Sequence, residues 1–332
     1  MWDTASFDAT LRSFVAEAVG VPERVERVGH RPWSAVWRVT ASGGTSYAKQ
    51  NCPGQAHEAR LLGLLATHAP EYVVPVLAAG PADDLLLTAD LGPTLDENGA
   101  VDVAVWCGIV AASAALQRRV ADVDLGLTVL APADAATYVA DAAGRLSALP
   151  PGDPRRLEPA TAGRLELLLQ RIDDWAEEVD ALGLPTTLVH NDLHAGNVVT
   201  LDGALRFFDF GDAVAGDPLA NLLVPLLAAA DALALPPADA GLARIVDAAL
   251  EVWSDLAPMT ELRAALPAAL QLARIARVES WRRCVATMLP AEQAEYGGAP
   301  AGWLASLLDP PPIPWHGGGV GRVGLEPTTQ GL

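Results

Sequence analysis

Two polar motifs constrain the fold of this chain more than any other feature of its 332 residues. The first reads H-x-D-x-x-x-x-N over residues 190–197, and the second is Asp209-Phe210-Gly211. Each follows a run of strand-forming residues, Thr187–Val189 and Leu205–Phe208. A third short run, residues 198–200, turns at Asp202-Gly203, so a β-hairpin is predicted between the motifs.

The side chains in these motifs are those that phosphoryl transfer requires. Such a reaction needs a carboxylate that orients the attacking hydroxyl and Mg²⁺ that neutralises phosphate oxygens. Mg²⁺ prefers oxygen ligands, which an Asn amide and an Asp carboxylate supply. We therefore predict Asp192 as the catalytic base and Asn197 and Asp209 as metal ligands, with Asp209 the main one. His190 is expected to brace the loop by hydrogen bonds, whereas His194 either lines the pocket or is a solvated loop residue.

With these motifs the chain resembles the aminoglycoside phosphotransferase and choline-kinase-like branch of the protein-kinase-like superfamily. The resemblance covers about residues 25–289, but its specificity rests on residues 188–222. There the spacing of the two motifs and the later Gly216-Asp217-Pro218 match the family pattern. The family often has Asp three residues after this Pro, whereas this chain has Asn221, to which we assign a structural role.

The resemblance implies an α+β, two-lobed protein-kinase-like fold. Its small N-lobe, residues 1–91, would hold an antiparallel sheet, one helix and the nucleotide. Its larger and mostly helical C-lobe, residues 92–309, would hold the catalytic loop and the acceptor site. The apolar pattern predicts strands at 36–40, 46–50, 72–77 and 85–88, and helices at 57–66, 103–116, 165–182 and 268–288. Residues 310–332 are rich in Pro and Gly without an apolar period, so a disordered tail is predicted.

The resemblance also requires a lysine for the α- and β-phosphates and a glutamate that holds this lysine. Lys49 lies on the predicted strand 46–50 and is the only lysine in the sequence, beside 21 arginines. Glu58 shares a predicted helix face with Leu61, Leu62 and Leu65, where a carboxylate is costly unless it is paired. Lys49 is its natural partner, and the alternative is a glutamate at the rim of that face.

The remaining nucleotide contacts are expected from two further segments. A G-x-G-x-x-G loop is absent, and residues 29–37 are the candidate phosphate-covering loop. Ser34 and the neighbouring backbone N–H groups would meet a phosphate there, although an ordinary hairpin turn fits the same segment. The resemblance alone places Thr88, Asp90 and Leu91 in the hinge that offers backbone groups to adenine.

Because every catalytic position is filled, the chain is predicted to be an ATP- and Mg²⁺-dependent small-molecule kinase. It would move the γ-phosphoryl group to a hydroxyl of a small molecule. The alternative is a pseudokinase-type nucleotide-binding or regulatory protein, which the loss of Lys49, Asp192 or Asp209 would have favoured.

Charge is the main sequence feature that bears on partners. Lys and Arg number 22 and Asp and Glu number 41, which gives a formal net charge of −19, so no nucleic-acid partner is expected. The acidity either favours a cationic acceptor or serves solubility. The predicted helix 268–288 carries Arg274, Arg277, Arg282 and Arg283. We interpret it as a solvated basic face, and the alternative is that it lines the acceptor cleft and favours an anionic or neutral acceptor.

The cysteines and the apolar runs indicate a cytoplasmic protein. Cys52, Cys107 and Cys284 have no paired spacing, so they are expected to be reduced. The N-terminal residues lack the pattern of a signal peptide. The apolar runs at residues 103–116 and 219–235 are short or interrupted, which favours core helices over a membrane span. The sequence does not predict the oligomeric state.

Overall fold

The structure, a computed structural model, describes residues 2–99 and 101–313. Its N-terminal part opens with helix α1 (Ala5–Val19), which Thr4 caps by accepting a hydrogen bond from the Phe7 amide at 3.1 Å. Leu11 and Val15 of this helix are buried in a cluster with side chains of the neighbouring sheet. One helix is expected in the N-lobe from the family resemblance, so α1 is an addition to the predicted architecture.

A five-stranded antiparallel sheet follows α1. Its strands in chain order are β1 (Arg24–Arg31), β2 (Ser34–Ala41), β3 (Gly44–Asn51), β4 (Val76–Gly80) and β5 (Leu85–Ala89). Their order across the sheet is β1-β2-β3-β5-β4. Helix α2 (Glu58–His68) lies between β3 and β4 in the chain and packs against β4 and β5. β2 and β3 pair as a hairpin and contain the strands predicted at 36–40 and 46–50.

The strand predicted over residues 72–77 is wrong in its position. β4 begins only at Val76, because Pro75 before it has no N–H group to donate to a ladder. The preceding residues pair instead with the C-terminal part. The Val74 amide donates to the Phe207 carbonyl at 3.2 Å, and the Phe207 amide donates to the Tyr72 carbonyl at 2.8 Å. These bonds join the two parts of the chain next to the second motif.

The C-terminal part is mostly helical, as predicted. In the described ranges its helices are α3 (Val103–Arg119), α4 (Ala135–Ser147), α5 (Pro159–Asp180), α6 (Leu223–Ala232), α7 (Ala240–Leu250), α8 (Met259–Val285), α9 (Pro290–Tyr296) and α10 (Ala299–Ser306). Five short strands lie among them: β6 (Val129–Leu130), β7 (Thr187–Val189), β8 (Val198–Leu201), β9 (Ala204–Phe207) and β10 (Val214–Gly216). β8 and β9 form a hairpin, and the other three form a small sheet in the order β6-β10-β7.

The two apolar runs of the sequence lie in the core of this part. Residues 103–116 belong to α3, and residues 219–235 span a short 3₁₀ turn and α6. Asp217 caps that turn by accepting from the Leu219 amide at 2.9 Å. Across the described residues, none of the helices combines the length and the apolar character that a membrane span needs.

An aromatic cluster joins the two parts near the end of α8. Trp33, in the turn between β1 and β2, packs edge-on against Trp281 of α8 and Tyr296 of α9. The ring centroids are 5.5 and 5.3 Å apart, which is an attractive geometry for aromatic rings. The turn over the candidate nucleotide site is thereby attached to the C-terminal part.

The segment that follows β3 contacts α8 through its backbone. Cys52 packs in a buried cluster with Cys284. Gly54 approaches even more closely, because a Cβ atom built there would lie 2.1 Å from the Arg283 carbonyl oxygen and 2.9 Å from the Cys284 amide nitrogen. Only glycine therefore fits at residue 54 without moving α8.

Residues 310–313 have defined contacts, although the sequence analysis assigns them to the tail. Ile313 is buried in the main core cluster. The Arg274 Nη2 atom donates to the Pro310 carbonyl at 2.9 Å. The C-terminal part therefore extends through Ile313 instead of ending at residue 309. The rest of the predicted tail, residues 314–332, lies outside the described residues.

We expect truncation after Ile313 to preserve the free energy of unfolding, and truncation after Asp309 to lower it. The shorter chain loses the buried Ile313 side chain, and removal of a buried isoleucine side chain typically costs about 2–5 kcal/mol. Urea unfolding of both chains measures the difference. Ile313→Ala in the full chain should fall in the same range, whereas Leu256→Ala, at an exposed site, should change stability by less than about 0.5 kcal/mol. Equal stability of the two truncated chains would contradict the role of Ile313.

Candidate active site

Lys49 connects the N-terminal sheet, helix α2 and the second motif. It lies within β3, opposite Leu86 of β5. Its Nζ atom is 2.6 Å from Glu58 Oε2 and 2.7 Å from Asp209 Oδ1. The expected contact between Lys49 and Glu58 is therefore present, and the same ammonium also binds the aspartate of the second motif.

Glu58 is buried, yet its carboxylate has a donor for each oxygen. It opens α2, where the helix N-terminus favours a negative charge. Its Oε2 atom accepts from Lys49 and from Asn51 Nδ2 at 2.6 Å, and its Oε1 atom accepts from the Phe210 amide at 2.9 Å. These bonds offset the cost of burying a carboxylate. The bond to Phe210 also fixes the residue next to Asp209.

The charges around Lys49 keep it protonated. Burial lowers the pKa of Lys49, but the charges of Asp209 and Glu58 outweigh burial and raise this pKa above its ordinary value. One cation thus faces two carboxylates, which leaves the trio with a net negative charge. Because the Asp209 side chain is 45% exposed, that charge is open to a further cation.

The β8–β9 hairpin brings the ends of the two motifs together. Asn197 immediately precedes β8, and Asp209 comes shortly after β9. Val198 pairs with Phe207, and the Phe208 amide donates to the Asn197 carbonyl at 3.2 Å. Asp209 itself has a φ of 63°, a left-handed conformation that is uncommon for a residue other than glycine.

The oxygen atoms of Asn197 and Asp209 fit a hard cation such as Mg²⁺. Asn197 Nδ2 donates to the Asp192 carbonyl at 2.9 Å, so the amide oxygen is left to act as a ligand. Asp209 adds an exposed carboxylate. The part of the chain that the structure describes holds no cluster of three His, Cys, Asp or Glu side chains suited to a metal. With two protein ligands, Mg²⁺ would take its remaining oxygen ligands from phosphate and water.

Asp192 is ionised and accessible. Its Oδ1 atom accepts from Arg277 Nη1 at 3.2 Å, and its Oδ2 atom lies 3.7 Å from His194 Nε2. Burial raises the pKa of Asp192, but the neighbouring His194 side chain and the charge of Arg277 outweigh burial and lower this pKa to about 2. The neighbouring Asp192 carboxylate in turn raises the pKa of His194. His194 therefore lies beside the candidate base, and its side chain is 43% exposed.

His190 braces the loop by hydrogen bonds, as predicted. Its Nε2 atom is 3.0 Å from the Phe208 carbonyl. Its backbone amide donates to Asn221 Oδ1 at 2.8 Å, and Asn221 Nδ2 donates to Ser113 Oγ at 2.9 Å. Burial lowers the pKa of His190, so the ring is neutral. The structural role assigned to Asn221 is confirmed by these two bonds.

A cavity of about 360 Å³ lies between the N-terminal sheet and the β8–β9 hairpin. Seven of the nine predicted site residues line it: Ser34, Lys49, Glu58, Thr88, Asp90, Leu91 and Asp209. Asp192 and Asn197 do not line it but adjoin its Asp209 end through the Phe208–Asn197 bond. The candidate loop at residues 29–37 is a tight hairpin turn, and its Ser34 still faces the cavity.

Three polar residues at this site, Gln55, Asp212 and Arg277, have roles that were not predicted from the sequence. Gln55, in the segment between β3 and α2, donates from Nε2 to Asp212 Oδ1 at 2.9 Å. Arg277 Nη1 lies 3.8 Å from the other oxygen of Asp212. The position of Asp212, directly after Asp209-Phe210-Gly211, is the signal that could have identified it. Gln55 carries no comparable signal.

The interpretation of residues 268–288 as a solvated basic face is wrong for Arg274, Arg277 and Arg283, whereas Arg282 is exposed. Arg274 and Arg277 are only 7% and 9% exposed. Arg282 pairs with Glu279 at 2.7 Å, and Arg283 Nη2 donates to the Asp212 carbonyl at 3.3 Å. The physical reason is that α8 is enclosed by other elements, so its arginines must reach carbonyl and carboxylate groups of neighbouring segments.

Comparison with solved structures shows the fold. An amicoumacin kinase in complex with AMP-PNP, Ca²⁺ and Ami has a TM-score of 0.58 and 15% identity, over 93% of this chain and 95% of that chain. An ethanolamine kinase from Plasmodium vivax has a TM-score of 0.56 and 11% identity, over 92% and 89%. The choline kinase LicA from Streptococcus pneumoniae has a TM-score of 0.54 and 11% identity, over 91% and 100%. The chain therefore has the kinase-like fold of these structures.

The family follows from the sequence comparison. No curated protein sequence matches this chain significantly. The sequence model of the Phosphotransferase enzyme family matches residues 27–262, which is well over half of the chain. This range contains Lys49, Glu58 and both polar motifs. The chain therefore belongs to the phosphotransferase enzyme family.

Proposed function

We propose that this protein transfers the γ-phosphoryl group of ATP, in a Mg²⁺-dependent reaction, to a hydroxyl group of a small molecule. The observation that carries the proposal is the double ion pair of Lys49 with Glu58 and Asp209 at a cavity between the two parts of the chain. It joins a phosphate-binding cation to a metal-binding carboxylate, as ATP-dependent transfer requires. The structural neighbours are kinases of small molecules, which supports the same reaction class.

The N-terminal part would bind the nucleotide. Lys49 would contact the α- and β-phosphates while Glu58 holds its ammonium in place. Ser34 would face the phosphates from the β1–β2 turn. The backbone groups of the segment that holds Thr88, Asp90 and Leu91 would contact adenine at the other end of the cavity.

The first motif would act on the acceptor. Asp192, ionised by its surroundings, accepts the proton of the acceptor hydroxyl. The hydroxyl oxygen then bonds to the γ-phosphorus, and the bond from this phosphorus to the β,γ-bridging oxygen breaks to release ADP. Bound Mg²⁺, held by Asn197 and Asp209, would neutralise the charge on the phosphate oxygens. Cationic acceptors are the first class to test because the chain carries a net charge of −19.

The direct test is incubation of the full chain with Mg-ATP and a panel of small hydroxyl compounds that are cationic, neutral or anionic. A product heavier by one phosphoryl group, seen by mass spectrometry, is the expected result. Nucleotide binding without turnover toward any acceptor or water would favour the pseudokinase alternative and contradict the proposal.

We expect Asp192→Asn and Asp209→Asn to lose phosphoryl transfer for different reasons. Asp192→Asn removes the base, so kcat should fall by roughly 10²–10⁴-fold while Mg-ATP still binds. Asp209→Asn weakens the metal site and removes a partner of Lys49, so both Mg-ATP affinity and kcat should fall. Steady-state kinetics and calorimetric titration with Mg-ATP separate the two effects.

A matched control for these variants is Asp202→Asn, in the exposed turn between β8 and β9. Asp202 has a φ of 51°, which asparagine also tolerates, so this variant should keep both binding and turnover. Normal turnover in Asp192→Asn or Asp209→Asn would show that the catalytic assignment is wrong.

We expect an amine-reactive ATP analogue to label Lys49 and excess Mg-ATP to protect it. Peptide mass spectrometry identifies the labelled residue, since the only other amine is the chain's α-amino group. Lys49→Arg keeps the charge but not the donor geometry, so transfer should fall on the order of 100-fold. Arg38→Lys introduces a second lysine at an exposed site, and that lysine should label equally with and without nucleotide. Unprotected labelling of Lys49 would contradict its role at the phosphates.

A further inference from the structure

We propose that Arg277 is a positioning residue that holds the carboxylate of Asp192 against the catalytic loop. The proposal rests on the proposed function, since it concerns the base of that reaction. Arg277 lies on helix α8, far from both motifs in the sequence. In this proposal the geometry of the first motif depends on it.

The contacts of Arg277 converge on the first motif. Its Nη1 atom donates to the Asn191 carbonyl and, at 3.2 Å, to Asp192 Oδ1. The guanidinium also lies over the ring of Trp303, 5.5 Å from the centroid. Arg277 is only 9% exposed, whereas the Asp192 side chain is 31% exposed. Charge-assisted hydrogen bonds of this kind are among the stronger polar contacts in proteins.

Helix α8 also holds the residue before Asp192. Asn191 has a φ of 65°, so the backbone bends in a left-handed turn just before the candidate base. Its Nδ2 atom donates to the Ala276 carbonyl of α8 at 2.9 Å and to the Asp212 carbonyl at 3.1 Å. Two adjacent residues of α8 therefore fix two adjacent residues of the loop. The direction of the Asp192 side chain follows from this attachment.

Arg277 has a second charged neighbour, which defines the alternative explanation. Its Nη1 atom lies 3.8 Å from Asp212 Oδ2, so Asp192 and Asp212 share one guanidinium. Asp212 also accepts hydrogen bonds from Ser280 and Gln55. A merely structural Arg277 would neutralise Asp212 and would have no specific effect on Asp192.

The experiment separates these two roles with three variants of the full chain. Arg277→Met removes the charge and keeps much of the volume. Arg277→Lys keeps a single cationic nitrogen, which is enough in principle because it is Nη1 that contacts the loop and Asp212. Arg277→Met combined with Asp212→Asn removes the arginine and also the carboxylate that it would leave unpaired. Thermal melts and steady-state hydrolysis of Mg-ATP, with water as the acceptor, are measured for each.

We expect Arg277→Met to lower kcat for hydrolysis on the order of 100-fold, as misplacement of a reacting group by about 1 Å can do, with KM for Mg-ATP unchanged. Arg277→Lys should recover part of the loss. Asp212→Asn should restore the melting temperature of Arg277→Met but not its kcat. Recovery of kcat together with the melting temperature would overturn the proposal, because Arg277 would then act only by neutralising Asp212.

Hydrogen–deuterium exchange tests the same proposal without turnover. In the nucleotide-free protein, Arg277→Met should speed exchange in the peptide that spans residues 189–197, and Arg277→Lys should speed it less. The Arg277→Met and Asp212→Asn combination should exchange as fast as Arg277→Met. Unchanged exchange in this peptide would overturn the positioning role. A wild-type protein without any ATP turnover would instead count against the proposed function, and the exchange result would still decide the role of Arg277.

Discussion

The ammonium group of Lys49 is the interaction on which the candidate site depends. It is shared by a buried carboxylate on the N-terminal side and by the carboxylate of the second motif on the C-terminal side. Without this cation, Glu58 would be a buried charge with neutral donors only, and Asp209 would lose its link to the sheet. A single cation between two carboxylates therefore fixes how the two parts of the chain face each other across the cavity.

Features that depend on spacing along the chain were predictable. The two motifs converge because the turn at Asp202-Gly203 folds β8 back on β9, and the register then follows. Lys49 was identifiable as the only lysine of the sequence, and Glu58 as a carboxylate on an apolar helix face. The two-lobed fold and the helical C-terminal part follow from the same local patterns and from the resemblance that the motifs carry.

Contacts between distant segments were not predictable. Arg277 reaches Asp192 across 85 residues of sequence. Helix α8 is enclosed on nearly all sides, so its sequence lacks the apolar stripe that would tell a buried arginine from a solvated one. The same limit explains the two boundary errors. Strand β4 begins only after Pro75, and residues 72–74 bond to the C-terminal part instead. Ile313 packs in the main core, which no local pattern in the sequence indicates.

The contact at Gly54 shows how closely the two parts meet. The segment after β3 contacts α8 through main-chain atoms. The distance between the two parts at this point is therefore set by direct backbone contact. This segment follows the strand that carries Lys49, and the facing residues, Arg283 and Cys284, lie on the same helix as Arg277. Even one methyl group at residue 54 would push α8 away from the segment that follows the Lys49 strand. The relative position of the two sides of the cleft thus depends on a residue that has no side chain.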